Sequence, residues 1–229
     1  MRQALMTASV ALVLLMMAAG AQAAEKTELL DSIIATIDND IITLEQVELE
    51  ADILQRTKYW LTFATPPDKL DPKLVFNEIV ARTLLYNQAR KMGFADVPED
   101  QVEKALNGLR LTFASPEDYH LWLEKNELRD PASPSKNISG KYYTPIKKRF
   151  LQQVTIHQYL NKKIGIQVKL GVHTYLQEHE AELKNEYPAA TPGELEKIAE
   201  QKIYNDKLLA HIQELRDGSH LIILRDRFK

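Results

Sequence analysis

The 229-residue chain contains no cysteine, which excludes disulfide bonds, a thiol nucleophile, thiolate zinc sites and the acylated cysteine of a lipoprotein. It has only eight glycines, and it contains no G-x-S-x-G, P-loop or G-x-G-x-x-G motif. The 29 Lys and Arg residues do not outnumber the 32 Asp and Glu residues, and we expect the charge to be evenly spread. This balance argues against a nucleic-acid partner, which would need a basic face. Because there are no disulfide bonds, the folded state must be stabilised by core packing.

Long hydrophobic runs are also missing, except for one near the N-terminus. Residues 10–17 form a short apolar run after Arg2, and Ala21-Gln22-Ala23 is typical of a signal-peptidase site. The run is shorter than the roughly 20 residues that a membrane-spanning helix needs. We therefore predict a signal peptide over residues 1–23 and a working chain over residues 24–229 that acts in the periplasm, with no stable membrane insertion after cleavage. A retained N-terminal anchor is the alternative.

The pattern of apolar residues predicts a mainly α fold with one small antiparallel sheet. β-branched residues on both sides of Asp38-Asn39-Asp40 predict a β-hairpin over residues 33–43. Residues 220–224 resemble a lone strand, which needs a partner for its backbone groups. The hairpin is the only good candidate, so we predict that one sheet joins the two ends of a helical body.

Helix boundaries are marked by capping residues and by prolines at first helical positions. Residues 72–92 carry apolar side chains in most directions around the axis, which predicts a central buried helix that ends at Gly93. The helix that Thr43 caps is expected to continue through Leu61, because its apolar residues keep helical spacing that far. A long helix is expected from about Tyr142 to Ile164. Alternation of apolar and polar residues over 164–171 predicts an extended segment, followed by a helix over 172–186. Residues 129–140 are predicted to form a mobile loop. The capping residues are Thr43, Asp71, Ser115 and Thr191.

No catalytic or metal-binding constellation is apparent, and no cofactor is predicted. The six histidines show no H-E-x-x-H spacing. A carboxylate-rich stretch over 178–186 is better explained as a solvated helix face than as a glycosidase pair. Lys141-Tyr142-Tyr143 and Lys147-Lys148-Arg149 combine basic and aromatic side chains, which could contact phosphates or anionic lipid. A solvated helix face explains this patch as well.

Aromatic residues near helix ends and loops are the remaining signal. They either fill gaps between helices or line a groove that holds apolar segments of other proteins. The candidate client-binding residues are Trp60, Phe63, Trp122 and Tyr142. Other aromatics of this kind are Phe113, Tyr119 and Tyr143.

Several segments, taken in order, resemble the SurA-type periplasmic chaperones. The hairpin over residues 31–43 is similar to the opening hairpin of that family. The resemblance continues through Ala89-Arg90-Lys91-Met92-Gly93-Phe94, Val97-Pro98-Glu99-Asp100-Gln101-Val102, the helix ending Lys162-Lys163-Ile164, the segment 173–179 and the last helix and strand. Family members usually carry parvulin prolyl isomerase domains of ~90 residues between the parts that correspond to the segment 173–179 and to the last helix. Here only residues 180–191 lie in that gap.

The resemblance implies the chaperone core alone, related to the trigger-factor-like N-terminal region, without isomerase activity. The expected function is ATP-independent binding of unfolded or partly folded exported polypeptides, with outer-membrane proteins among the candidate clients. One alternative is an adaptor or assembly factor for a single envelope partner. The other, which the missing insert disfavours, is a prolyl isomerase. Exchange of the terminal elements between protomers would give a homodimer.

Overall fold

The computed structural model describes residues 33–62, 70–94, 96–126, 128 and 144–228. Within these ranges the chain forms seven α-helices, three strands and one 3-10 turn, Asp226–Phe228. The strands are β1 Ile33–Ile37, β2 Asp40–Thr43 and β3 Leu221–Ile223. The helices are α1 Leu44–Thr57, α2 Pro72–Lys91, α3 Glu99–Arg110, α4 Pro116–Lys125, α5 Thr144–Lys163, α6 Gly165–Glu186 and α7 Pro192–Asp217. The predicted mainly α fold is confirmed.

The sheet joins the two ends of the described chain, as the sequence predicts. Its strand order is β2-β1-β3, and both pairings are antiparallel. Asp38 adopts a left-handed conformation (φ 51°) in the hairpin turn, where Asp and Asn are tolerated. Its carboxylate also accepts a hydrogen bond from the backbone amide of His220 at 2.9 Å. The turn that forms the hairpin therefore also fixes the start of the last strand.

The predicted capping residues begin their helices. Thr43 forms a capping box with Gln46 at the start of α1, and Thr191 forms one with Glu194 at the start of α7. Asp71 accepts from the amide of Lys73 at 2.8 Å ahead of Pro72. These contacts satisfy amides that have no partner inside the helix, which is why each helix begins where it does.

Two boundaries differ from the prediction. Residues 164–171 are not extended, because α6 begins at Gly165. Their alternating pattern also fits a helix: Ile164, Val168 and Val172, four apart, are buried on one face. The first helix is shorter than expected, since Lys58 ends it in a left-handed conformation (φ 54°).

Three clusters of buried side chains hold these elements together. The first packs the sheet and α1 against α2, and includes Phe228 from the 3-10 turn. The second joins the end of α2 to α5, α6 and α7, and the third joins α1 to α3, α4 and α5. Helix α2 contributes to two clusters, so the prediction of a central buried helix is confirmed.

Candidate functional site

A cavity with an apolar floor lies between α1, α4 and the turn that precedes α4. Its volume is about 660 Å³. We call it the aromatic groove, and its principal lining residues are Asp52, Arg56, Phe113, Leu121, Trp122 and Lys125. Both apolar and charged side chains line it, so it can contact an amphipathic ligand.

The floor of the groove is positioned by the start of α4. The Ser115 hydroxyl accepts a hydrogen bond from the amide of Asp118 at 3.1 Å, and Pro116 occupies the first turn. This start places Trp122 against the aromatic ring of Phe113, with 5.5 Å between ring centroids. Tyr119 lies 5.3 Å from the same Phe113 ring, so three aromatic side chains form one packed group.

A charged pair on α1 forms one wall. The Asp52 carboxylate accepts from Arg56 Nε at 3.0 Å, and it also accepts from the indole N–H of Trp122. The Arg56 guanidinium lies 4.2 Å from the centroid of the Phe113 ring. Asp52 thus links α1 to α4 and holds Arg56 over the aromatic floor, where the guanidinium is available to a ligand.

Two exposed leucines extend the apolar surface at this end of the molecule. Leu121 lines the groove and is 63% exposed. Leu111 immediately precedes the groove residue Thr112 and is 78% exposed. Isolated exposed leucines are ordinary, but Leu121 lines a groove with an aromatic floor and adds exposed apolar surface that a partner can cover.

The structure describes two of the four predicted client-binding residues, Trp60 and Trp122, and only Trp122 lines the groove. Trp122 is buried, although it lines the floor of the groove. Trp60 is buried in the cluster under the sheet, away from the groove, where it fills a gap between elements. Phe63 and Tyr142 lie outside the described residues, as do the predicted signal peptide over residues 1–23 and the predicted loop over residues 129–140. The sequence did not single out Leu111 or Leu121, because each fits an ordinary helical pattern.

A buried cluster of charges lies elsewhere, between α1, α2 and α5. Glu50 accepts from Arg82 Nη1 at 2.5 Å and from Arg149 Nη2 at 2.7 Å. Burial alone would raise the pKa of Glu50, but the guanidiniums of Arg149 and Arg82 outweigh burial and lower it to about 2. The adjacent cavity is only about 10 Å³, too small for a substrate. The cluster is therefore structural.

Glu78 is a second buried carboxylate beside this cluster. It accepts hydrogen bonds from the amides of Leu61 and Thr62 and from the Thr62 hydroxyl, the last at 2.5 Å. Burial nonetheless raises its pKa above the ordinary value. These bonds hold the backbone amides of Leu61 and Thr62 just after α1, which explains why the predicted helix does not continue through Leu61.

A Tyr–His–Glu chain connects α5 to α7. The Tyr159 hydroxyl lies 2.6 Å from His211 Nε2, and His211 Nδ1 lies 3.0 Å from a Glu214 carboxylate oxygen. If Nδ1 donates to Glu214, Nε2 accepts from the tyrosine, which satisfies all three groups. The hydroxyl of Tyr159 is buried in the second cluster, where no substrate can reach it. The three residues are hydrogen-bonded in the order seen in a catalytic relay, but here they join α5 to α7 inside the core.

The predicted basic patch does not form a continuous surface in its described part. Lys147 pairs with Glu99 and Glu103, and Arg149 points into the buried charge cluster. Only Lys148 of the three remains exposed.

Within the described ranges, no group of three or more His, Asp or Glu side chains could hold a metal ion. The helices described here are also all too short or too polar to cross a bilayer. Comparison of the sequence with models of protein families and with curated proteins finds no match.

Proposed function

We propose that the protein is a periplasmic, ATP-independent chaperone that holds unfolded or partly folded exported polypeptides. The observation that supports this most directly is the aromatic groove with Leu111 and Leu121 exposed beside it. Apolar segments of a client would cover this surface and be withheld from aggregation. Such binding requires neither a cofactor nor a chemical step.

The chemistry of the groove favours tolerance rather than tight selection. Its rim carries both signs of charge, with Asp52 and Asp118 beside Arg56 and Lys125. A client segment of either charge can therefore find a counter-charge next to the apolar floor. Rim charges set orientation and encounter more than affinity, so binding should be weak at each site and permissive in sequence.

The connection between α6 and α7 supports a holding role over an isomerase. These helices are joined by residues 187–191 alone, in the position where the resembling family carries its parvulin domains. A domain of ~90 residues does not fit there. The resemblance and the signal-peptide pattern both favour the periplasm as the location of this proposed activity.

Light scattering of a denatured outer-membrane protein on dilution tests the proposal. We expect an excess of the wild-type protein to suppress aggregation. The double substitution Leu111→Ser and Leu121→Ser should weaken client binding by on the order of 30-fold, because about 2 kcal/mol of apolar contact is lost. Both side chains are exposed, so thermal unfolding should be little changed.

A matched control removes two exposed aliphatic groups elsewhere, on the outer face of the sheet. Ile41→Thr with Ile222→Thr keeps β-branched residues at paired strand positions and should leave holding intact. Unchanged aggregation in the presence of excess wild-type protein would contradict the chaperone proposal. Capture of one stoichiometric partner from periplasm, with no effect on unrelated clients, would favour the adaptor.

A further inference from the structure

A second surface, separate from the aromatic groove, lies on the first half of α6. Ile166 and Leu170 are 64% and 77% exposed and stand one turn apart. Their neighbours on the same helix face are Lys169 and His173, both exposed. The pattern is therefore an apolar pair within a basic surface, on a helix whose opposite face is buried in the second cluster.

More lysines adjoin this pair at the end of α5. Lys162 and Lys163 are exposed and immediately precede the single residue, Ile164, that separates α5 from α6. Lys162 Nζ lies 5.6 Å from the ring centroid of Phe94, a contact that keeps its charge at the surface. Lys163 and Lys169 form no ion pair within the described part of the chain. We call Lys162, Lys163, Ile166, Lys169 and Leu170 the α6 patch.

The charge around the α6 patch is not what the overall composition suggests. The sequence contains no Asp or Glu between Asp130 and Glu178, although the whole chain has 32 of them and a net charge of −3. The expectation of evenly spread charge is thus wrong. The part of α7 packed near Gly171, through Ile203, carries both signs of charge and does not cancel the excess.

We propose that the α6 patch is a peripheral docking site for an anionic lipid surface. Its lysines would lie among the lipid phosphates, and Ile166 and Leu170 would enter the boundary between headgroups and acyl chains. Charge complementarity comes from the acid-free stretch, because a bilayer that contains anionic lipids has a net negative surface potential.

The shape of the patch favours a bilayer over a polypeptide partner. Its two aliphatic side chains are more than half exposed, so they project from the helix and do not line a cleft. A planar, deformable surface can accept such projecting groups, whereas extended polypeptides are held in grooves or along sheet edges. Peripheral docking of this kind inserts no helix, which agrees with the helices described above being unable to cross a bilayer. It would bring a holding protein close to the membrane where its clients are released or inserted.

Co-sedimentation with vesicles tests the proposal. The probes are vesicles of phosphatidylethanolamine with phosphatidylglycerol, and vesicles of phosphatidylcholine alone as the neutral case. We expect binding to the anionic vesicles only, falling as salt rises because screening shortens the reach of the lysines. The triple substitution Lys162→Gln, Lys163→Gln and Lys169→Gln should lower partitioning on the order of 100-fold. Ile166→Ser with Leu170→Ser should lower it on the order of 10-fold.

The control for the aliphatic pair is again Ile41→Thr with Ile222→Thr, which should bind vesicles like the wild type. All proteins are prepared in the same form and compared at the lipid concentration that binds half of the wild type, so any contribution of residues 1–32 is shared. Equal binding of both α6-patch variants and wild type would overturn the proposal, as would equal binding to neutral vesicles. Binding of an acidic unstructured polypeptide with the same residue dependence, and no vesicle binding, would assign the patch to a protein partner instead.

The result of the vesicle-binding test does not depend on the proposed holding activity. Variants of the α6 patch should still suppress aggregation in the light-scattering assay, because the aromatic groove is intact. Loss of vesicle binding with holding retained supports two separate surfaces. Retained vesicle binding by a protein that fails to hold any client would contradict only the chaperone proposal.

Discussion

Replacing Glu50 by alanine should destabilise the protein by about 3–5 kcal/mol, because the guanidiniums of Arg82 and Arg149 would be left buried without their shared carboxylate. The cluster links α1 to both α2 and α5, so its loss weakens three helices at once. Urea unfolding followed by circular dichroism measures the change as a lower midpoint. Glu48→Ala is the control: it lies on the same helix but is exposed, and its effect should stay within about 0.5 kcal/mol.

The same carboxylate makes stability depend on acid. The pKa of Glu50 is about 2 in the folded protein against 4.5 as the reference, so its stabilising contribution is present above pH 4.5 and is lost as pH falls toward 2. Glu78 acts in the opposite direction, because its pKa is raised by burial and protonation favours the folded state. Glu78→Gln should therefore leave a steeper loss of stability in acid, whereas Glu50→Gln should flatten it. The same slope in both variants and in wild type would contradict this account.

Replacing Phe228 by alanine should cost about 3–5 kcal/mol, the range for an aromatic side chain removed from a core. Phe228 is buried against Phe76 of α2, with 5.3 Å between ring centroids. Its 3-10 turn follows β3, so the substitution also loosens the strand that completes the sheet. Hydrogen exchange should show faster exchange of the amides that pair β1 with β3.

Leu224→Ala provides the control for Phe228 within the same segment. Leu224 donates its amide to the carbonyl of Ile34 at 2.9 Å, while its side chain is exposed. Its truncation keeps the backbone bond and should change stability little. Equal destabilisation by the two substitutions would mean that this end of the chain depends on backbone pairing and not on the aromatic anchor.

Local signals in the sequence predicted the frame of the fold well. Capping residues such as Thr43 and Thr191 act on amides a few residues away, so their effect can be seen in a short window. The sheet was predictable because an isolated strand must find a partner, and only one partner was available. The error over residues 164–171 has a plain cause. A short alternating run that also repeats every four residues fits both periods, and here the contact of α6 with α7 selects the helix.

The candidate site was less predictable, because exposure depends on distant neighbours. The sequence predicts Trp122 as a client-binding residue, yet Asp52, 70 positions earlier in the chain, accepts a hydrogen bond from its indole N–H. The exposed leucines and the apolar pair of the α6 patch gave no local signal, since a surface leucine and a core leucine look alike until the opposing helix is placed. The absence of Asp and Glu between Asp130 and Glu178 was visible in the sequence, but it did not show which side chains are exposed. For Lys147 and Arg149 the sequence suggested more exposed charge than the fold has. They formed a basic run in the sequence, but carboxylates on α1 and α3 neutralise them in the fold.

The position of β1 in the middle of the sheet has a consequence for how the protein matures. Its partner β3 is encoded far downstream: the Asp38 carboxylate and the amide of His220 that meet beside it are 182 residues apart. Closing so long a loop is entropically costly and is typically among the slower steps of folding. Until the last strand has been synthesised, β1 has one unpaired edge and the sheet is incomplete. The export proposed above requires a chain that stays unfolded during its passage, and late closure of the sheet suits that requirement.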